Sequence, residues 1–229
     1  MPQSASLLHD VVEWDVVNWS RALDFWKTHM SLPTSSMCLE VGARRGGLSL
    51  WLALQGYNVV CSDLNDNREI AAPLHRAYGV SERITYEAMD AAAIPYEEHF
   101  DAVAFKSVLG GVAWDGDASR QAAAVRAMHR ALKPGGVLLF AENLCGSPLH
   151  EAARRRFIKW NSIWRYVSIR EMLGYLEPFS NVEYRTTGVA GLFGRTPAIS
   201  RLLGRADGTF FDRVVPPHWR YIMFGVARK

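Results

Sequence analysis

The sequence predicts a doubly wound α/β fold: one mostly parallel sheet of seven strands, covered by helices, with an antiparallel C-terminal edge. Three observations predict it. Short β-branched and apolar runs alternate with helical segments through most of the chain, and a glycine-bearing turn joins the first such run to its helix. The last two apolar runs have no helix between them strong enough to force a parallel crossover. At 229 residues and 49% hydrophobic content the chain can fill one sizeable core. No repeat, low-complexity tract or linker divides it, so residues 1–229 read as a single domain.

Residues 7–30 place Val12, Val16, Trp19, Leu23 and Trp26 on one helical stripe that ends before Pro33, so residues 1–32 read as a helical cap. "MCLEVG" is the first strand, followed by a helix to about residue 55, and "YNVVCSD" is the second, which closes a βαβ unit. Residues 66–78 follow as a helix weakened by Pro73, then "RITYEAMD" and "FDAVAFKS" as strands, residues 118–132 as a helix and "GGVLLFAEN" as the fifth strand. Residues 146–180 form a helical insertion on the substrate side, with "HEAARRRFIKWNSIWRYVS" rich in Arg and Trp. "NVEYRTTGVAG" and "WRYIMFGVAR" are the closing strands. Residues 191–217, punctuated by Gly194, Gly204, Gly208 and Pro216-Pro217, are the least regular part.

Composition excludes several classes. With 26 Lys and Arg against 23 Asp and Glu, the formal charge of +3 falls short of a dedicated nucleic-acid binder. Three scattered cysteines supply neither a disulfide framework nor a zinc site, and they fit a reducing cytoplasm. No apolar run reaches membrane-span length, and "MPQSASLLHD" lacks the pattern of a signal peptide, so a soluble cytoplasmic protein without a membrane partner is expected.

In an open parallel sheet, ligands bind beyond the C-terminal ends of the strands, and the first βα turn is the usual place. Here that turn is "CLEVGARRGGLS". The dinucleotide fingerprint G-x-G-x-x-G fails, because Arg44 stands where the second glycine belongs, which disfavours a dehydrogenase. Glu40 at the strand end would repel a phosphate and favours a zwitterionic ligand carrying an amino group.

"EVGARRG", residues 40–46, resembles the first motif of the class I S-adenosylmethionine-dependent methyltransferases, and the resemblance extends over about residues 37–140. It implies a Rossmann-like sheet, S-adenosyl-L-methionine as cofactor, and a cofactor site built from Glu40, Gly42 and Gly46. By the same resemblance Asp63 takes the ribose hydroxyls with Leu64 beside it, and Asp90 takes the adenine amino group with Met89 and Ala91 as walls. "ALKPGGVLLF" matches the family's turn into the fifth strand. Arg44 departs from the pattern; its side chain either points away from the ligand or pairs with the methionine carboxylate. Lys106, at the end of the fourth strand, is grouped with the cofactor residues.

The acceptor site is expected over the ends of the fourth and fifth strands, with Ser107, Asn143, Arg154, Trp160 and Trp164 as substrate-binding candidates. Methyl transfer from a sulfonium is an in-line displacement that depends on alignment and desolvation. A hydroxyl acceptor also needs a base, for which His150 and Glu142 are the candidates. The expected acceptor is a small molecule, a hydroxyl of a sugar or secondary metabolite. No pair of carboxylates is placed for a metal, and none is expected. Two other readings are an RNA methyltransferase, whose Lys-Asp-Lys-Glu tetrad is not matched at Lys106 and Glu142, and a non-catalytic cofactor-binding module, for which Arg44 is the best support. The acceptor's identity, the atom methylated and the oligomeric state stay open.

Overall fold

The structure is a computed structural model that describes residues 5–114, 116–157 and 164–229. Helices α1 (Ala5–Val12) and α2 (Val16–His29) precede β1 (Met37–Val41), α3 (Gly47–Ala53), β2 (Asn58–Asp63), α4 (Arg68–Ala77) and β3 (Ile84–Ala88). There follow β4 (Phe100–Lys106), α5 (Leu109–Val112), α6 (Ala118–Ala131), β5 (Leu132–Asn143), α7 (Pro148–Phe157) and α8 (Ile169–Tyr175). The chain closes with β6 (Asn181–Thr187), α9 (Pro197–Ala206), α10 (Asp212–Val214) and β7 (Ile222–Arg228).

The seven strands form one sheet in the order β3-β2-β1-β4-β5-β7-β6. β1, β2, β3, β4 and β5 pair in parallel, while β7 runs antiparallel to both β5 and β6. The antiparallel pair lies at the expected end of the sheet. In detail, β7 is inserted between β5 and β6, so β6 is the edge. The chain runs outward from β1 to β3 and then crosses to β4, which puts the reversal of strand order between β1 and β4, directly above the first turn.

The strands are apolar on both faces because both are covered. Cys38, Cys61, Ala104 and Leu139 pack under α2 and α3 with Trp19, Trp26 and Trp51; Leu39, Val103, Phe105 and Phe140 pack under α6 and α8 with Val125 and Met128. Trp26 is wholly buried, and its Nε1 donates to the Gly225 carbonyl at 2.9 Å, so its polar atom is satisfied inside the core.

Two elements differ from the sequence expectation. The N-terminal helix is broken at Glu13-Trp14-Asp15, where Glu13 (φ 68°) and Asp15 (φ 41°) adopt left-handed backbone. Long-range contacts hold the break: Asp15 accepts from the Tyr221 hydroxyl, as well as from Asn18 Nδ2 at 3.1 Å, and Glu13 pairs with Arg44 at 3.2 Å. Residues 191–217 contain α9, a π-helical turn and α10, because the glycines that lower helix propensity there are required by close packing; a Cβ on Gly204 would stand 2.8 Å from Val17 Cβ. No helix of the described residues is long and apolar enough to cross a membrane.

Candidate functional site

A cavity of about 280 Å³ opens beyond the C-terminal ends of β1, β2, β3 and β4, lined by Gly42, Asp63, Leu64, Met89, Asp90 and Ala91 and, across from them, by Ser107, Val108, Trp114, Arg120 and Trp164. Gly42 adopts φ +66°, and a Cβ there would lie 2.6 Å from Val108 Cγ2; only glycine lets the β1 turn and the β4 turn meet at this floor.

Asp63 ends β2 with both carboxylate oxygens anchored. Oδ2 accepts the Arg44 amide at 2.6 Å and Oδ1 the Leu64 amide at 2.7 Å. The carboxylate is thereby held in one orientation at the cavity wall, with lone pairs left for a diol. Asp90 stands two residues past the end of β3: Oδ1 accepts the Ala92 amide at 2.9 Å, and Oδ2 faces the Arg120 guanidinium at 3.3 Å. Ser107, itself at φ 57°, accepts from Asn143 Nδ2 at 2.6 Å, joining the ends of β4 and β5 at the rim. The donor set fits an adenosyl group: a fixed carboxylate for ribose, a second carboxylate with apolar neighbours for a flat base, and a glycine floor. S-adenosyl-L-methionine would lie against Gly42, Asp63, Leu64, Met89, Asp90 and Ala91 and would supply an electrophilic methyl group.

Several expected site residues lie elsewhere. Glu40 is buried, and its carboxylate accepts the Leu48 amide at 3.1 Å, the Ser49 amide at 2.7 Å and the Ser49 hydroxyl at 2.6 Å. It caps α3 rather than facing a ligand. Gly46 sits at the N-terminus of α3, where its carbonyl meets His75 Nε2 at 2.9 Å; Gly47 is fixed by α1, since a Cβ would lie 2.2 Å from the Val11 carbonyl oxygen. The turn's later glycines serve helix packing, which is why the spacing departs from a phosphate-binding loop.

Glu142 is equally sealed. One oxygen accepts the amides of Val108 and Leu109, each at 2.8 Å, and the other accepts the Asn143 amide at 2.8 Å. His150 is buried between Phe193 and Tyr221, with Ser147 on Nδ1 at 2.8 Å and the Val189 carbonyl on Nε2 at 2.7 Å. Neither expected base lines the cavity: Glu142 ties the loop after β4 to the end of β5, and His150 ties the turn after β5 to the loop after β6. Arg154 turns inward, donating to the Leu144 and Cys145 carbonyls at 2.8 and 2.7 Å and stacking over Tyr166. Trp164 lines the cavity as expected; Trp160 lies outside the described residues.

Arg44 reaches away from the cavity floor to Glu13, 3.2 Å away, and its side chain is 66% exposed. Its backbone is left-handed at φ 49°, a conformation that glycine adopts without strain. Arg44→Gly is therefore expected to move the melting temperature by less than about 3 °C and cofactor affinity by less than about threefold, since an exposed ion pair contributes at most about 1 kcal/mol. Calorimetric titration checks this; a tenfold loss of affinity would instead place the guanidinium on the ligand's carboxylate. Lys106 projects beneath the broken N-terminal helix, its Nζ 3.3 Å from the Trp14 ring centroid and 4.9 Å from that of Trp19, with no hydrogen-bond partner among the described residues. Burial pushes its amine down to about 7, against the pull of Glu13, Glu40 and Glu142.

Sequence reasoning missed Arg120 and Trp114. Both lie beyond β4 in a stretch without a motif, and only the fold brings them opposite Asp90.

This topology, with strand-end carboxylates on β2 and β3 around a glycine floor, defines a class I methyltransferase fold. A methyltransferase-domain family profile matches residues 39–140. The ubiquinone/menaquinone biosynthesis C-methyltransferase UbiE of Shewanella frigidimarina is 30% identical over 173 residues, an alignment covering 66% of this chain and 62% of that protein. The chain thus spans less than two thirds of the length of this curated relative. Among solved structures, phosphoethanolamine N-methyltransferase 2 of Haemonchus contortus, in complex with S-adenosyl-L-methionine, superposes with a TM-score of 0.66 at 18% identity over 92% of this chain and 52% of that one. The [4+2]-cyclase SpnF superposes at 0.61 with 21% identity over 92% of this chain and 80% of that one. Residues 39–140 of this chain thus match the methyltransferase-domain family, and the chain has the fold of S-adenosylmethionine-dependent methyltransferases of known structure.

Proposed function

We propose that this protein transfers the methyl group of S-adenosyl-L-methionine to a small-molecule acceptor held between the Ser107–Asn143 rim and Trp164. The observation that carries this reading is Asp63, fixed by two backbone amides on the same cavity wall as Met89, Asp90 and Ala91. The chain's own contribution is positional. The Gly42 floor and the Asp63 carboxylate fix one reactant, the walls exclude water, and the rim aligns the other.

The acceptor we propose is an acidic hydroxyl, phenolic or enolic, methylated on oxygen or on the adjacent carbon. It loses its proton readily in water, so it needs no strong base, and both expected bases, His150 and Glu142, spend their lone pairs on neighbouring protein groups. Of the two acceptors the sequence suggests, a sugar hydroxyl is the harder one in such a site, and a phenolic or enolic secondary metabolite is the easier. The C-methyltransferase name of the Shewanella relative is compatible with this choice.

Titration calorimetry tests the first part: S-adenosyl-L-methionine is expected to give saturable heat at micromolar concentration, and a nicotinamide dinucleotide none. Absence of heat with the sulfonium ligand at high micromolar concentration removes the reading. With labelled donor, transfer to phenols but not to aliphatic sugar hydroxyls is expected, and the reverse preference overturns the acceptor class.

A further inference from the structure

We propose that the helical segment between β6 and β7 docks the protein on a membrane surface that carries anionic lipids, with the cavity mouth on the docked side. The inference concerns binding alone and stands whether or not methyl transfer is the activity.

α9 continues through the π-helical turn Asp207–Phe211 into α10. Its inner side is locked to the domain. The buried Asp207 carboxylate accepts the amides of Ala190 and Gly191 at 2.7 and 2.9 Å and Asn18 Nδ2 at 2.8 Å, and Gly204 lies flat on Val17 of α2. Asp212 binds Arg21 at 2.6 Å. The segment is therefore a fixed part of the fold, and what it shows on its outer side is not an accident of a loose loop.

That outer side is apolar. Ile199, Leu202, Phe210, Val214 and Trp219 are each between 46% and 68% exposed. The positions 202, 206, 210 and 214 follow one another at helical spacing, so Leu202, Ala206, Phe210 and Val214 form a ridge that includes no charge. A folded domain seldom spends this much large apolar surface on water without a partner.

Arg201, Arg205 and Arg213 are exposed around the same ridge, while the carboxylates of the segment, Asp207 and Asp212, both point inward to the partners named above. Apolar side chains flanked by arginine, with no exposed acid between them, form the pattern of a helix lying in the interface of an anionic bilayer. The charge also decides against the other natural occupant. In a two-fold contact between copies of this chain, the ridge would bring arginine against arginine, and the segment has no exposed carboxylate to pair with them. The absence of a membrane-spanning helix does not bear on a surface helix.

The topology supplies the orientation. β6 ends at Thr187, which pairs with Ile222 of β7, and Ile222 pairs in turn with Asn143 at the end of β5. The segment therefore leaves and re-enters the sheet at the edge that holds Ser107, Asp63 and the cavity. Leu149, in α7 just after β5, is likewise 65% exposed.

Flotation of the 229-residue chain with vesicles tests the proposal. Vesicles of phosphatidylcholine with one quarter phosphatidylglycerol are expected to carry the protein at low salt, and pure phosphatidylcholine vesicles to carry about tenfold less. Leu202→Ser with Phe210→Ser, and separately Arg205→Glu with Arg213→Glu, are each expected to lower partitioning on the anionic vesicles by about tenfold or more. Circular dichroism and S-adenosyl-L-methionine binding should stay unchanged, because none of the four side chains is buried or lines the cavity. Failure to float with anionic vesicles, flotation equal in the variants, or a concentration-dependent dimer that Leu202→Ser with Phe210→Ser dissolves would each overturn it.

Discussion

Asp63→Ala is expected to weaken S-adenosyl-L-methionine binding by about 10²- to 10⁴-fold, because it removes two charge-assisted hydrogen bonds to a ribose diol at roughly 1.5–3 kcal/mol each. Asp63 reaches this importance through its own scaffolding. Its carboxylate is pinned by the Arg44 and Leu64 amides, so no rotamer entropy is lost when a ligand arrives. The substitution also leaves those two amides without their acceptor, but both are at the solvent-accessible turn, where water replaces it. Stability should therefore fall by less than about 1.5 kcal/mol while binding collapses. Titration with S-adenosylhomocysteine, which shares the ribose and is chemically inert, separates the two effects. Affinity within threefold of wild type would show that the sugar lies elsewhere, and the cofactor site would have to be rebuilt.

Asp63, Asp90 and Gly42 were legible in the sequence because each owes its place to strand order alone. The loops that leave the C-terminal ends of neighbouring parallel strands open on one cleft, and all three residues stand where such a loop begins. The parallel strands were legible for a related reason: apolar runs covered on both sides leave the same signature at β1, β2, β4 and β5. Glu40, Glu142, His150 and Arg154 were misplaced because sequence position fixes where a side chain starts and not what it meets. All four begin near the cavity in the chain and turn inward, since the turns after β1, β4, β5 and β6 have amides or carbonyls that need partners.

The broken cap escaped sequence reasoning through the same blindness. Val12, Val16 and Trp19 keep helical spacing across Glu13-Trp14-Asp15, so periodicity reads through the break. Only the long-range contacts of Asp15 with Tyr221, and of Glu13 with Arg44, reward the two left-handed residues there. The helical segment after β6 is the opposite case. Its glycines argued for irregularity, and tertiary contacts at Gly204 and Gly208 overrode that local preference.

Glu142 offers the largest expected effect on stability, and the one that separates a structural carboxylate from a catalytic base. Glu142→Ala leaves the amides of Val108, Leu109 and Asn143 without an acceptor in a dry interior, at roughly 1–3 kcal/mol each. A loss of about 3–5 kcal/mol is expected, which lowers the melting temperature by about 10–15 °C in a chain of this size. Glu142→Gln keeps one acceptor oxygen and turns an NH₂ toward an N–H donor, so about half that loss is expected. The pH dependence carries a further signature. Burial, the largest influence, pushes the Glu142 carboxyl up to about 7 from 4.5, while its backbone donors and Lys106 pull the other way. The native state thus holds a proton that the unfolded chain releases, and the group's contribution is fully present below pH 4.5 and lost as pH rises through 7. Glu40, also up to about 7, has the same sign; Lys106, pushed down to about 7, contributes with the opposite sign above that pH. The gap in denaturation midpoint between wild type and Glu142→Ala should therefore widen from pH 8 to pH 5. A midpoint unchanged at every pH, with normal cofactor binding and loss of turnover alone, would overturn the structural role and return Glu142 to the chemistry.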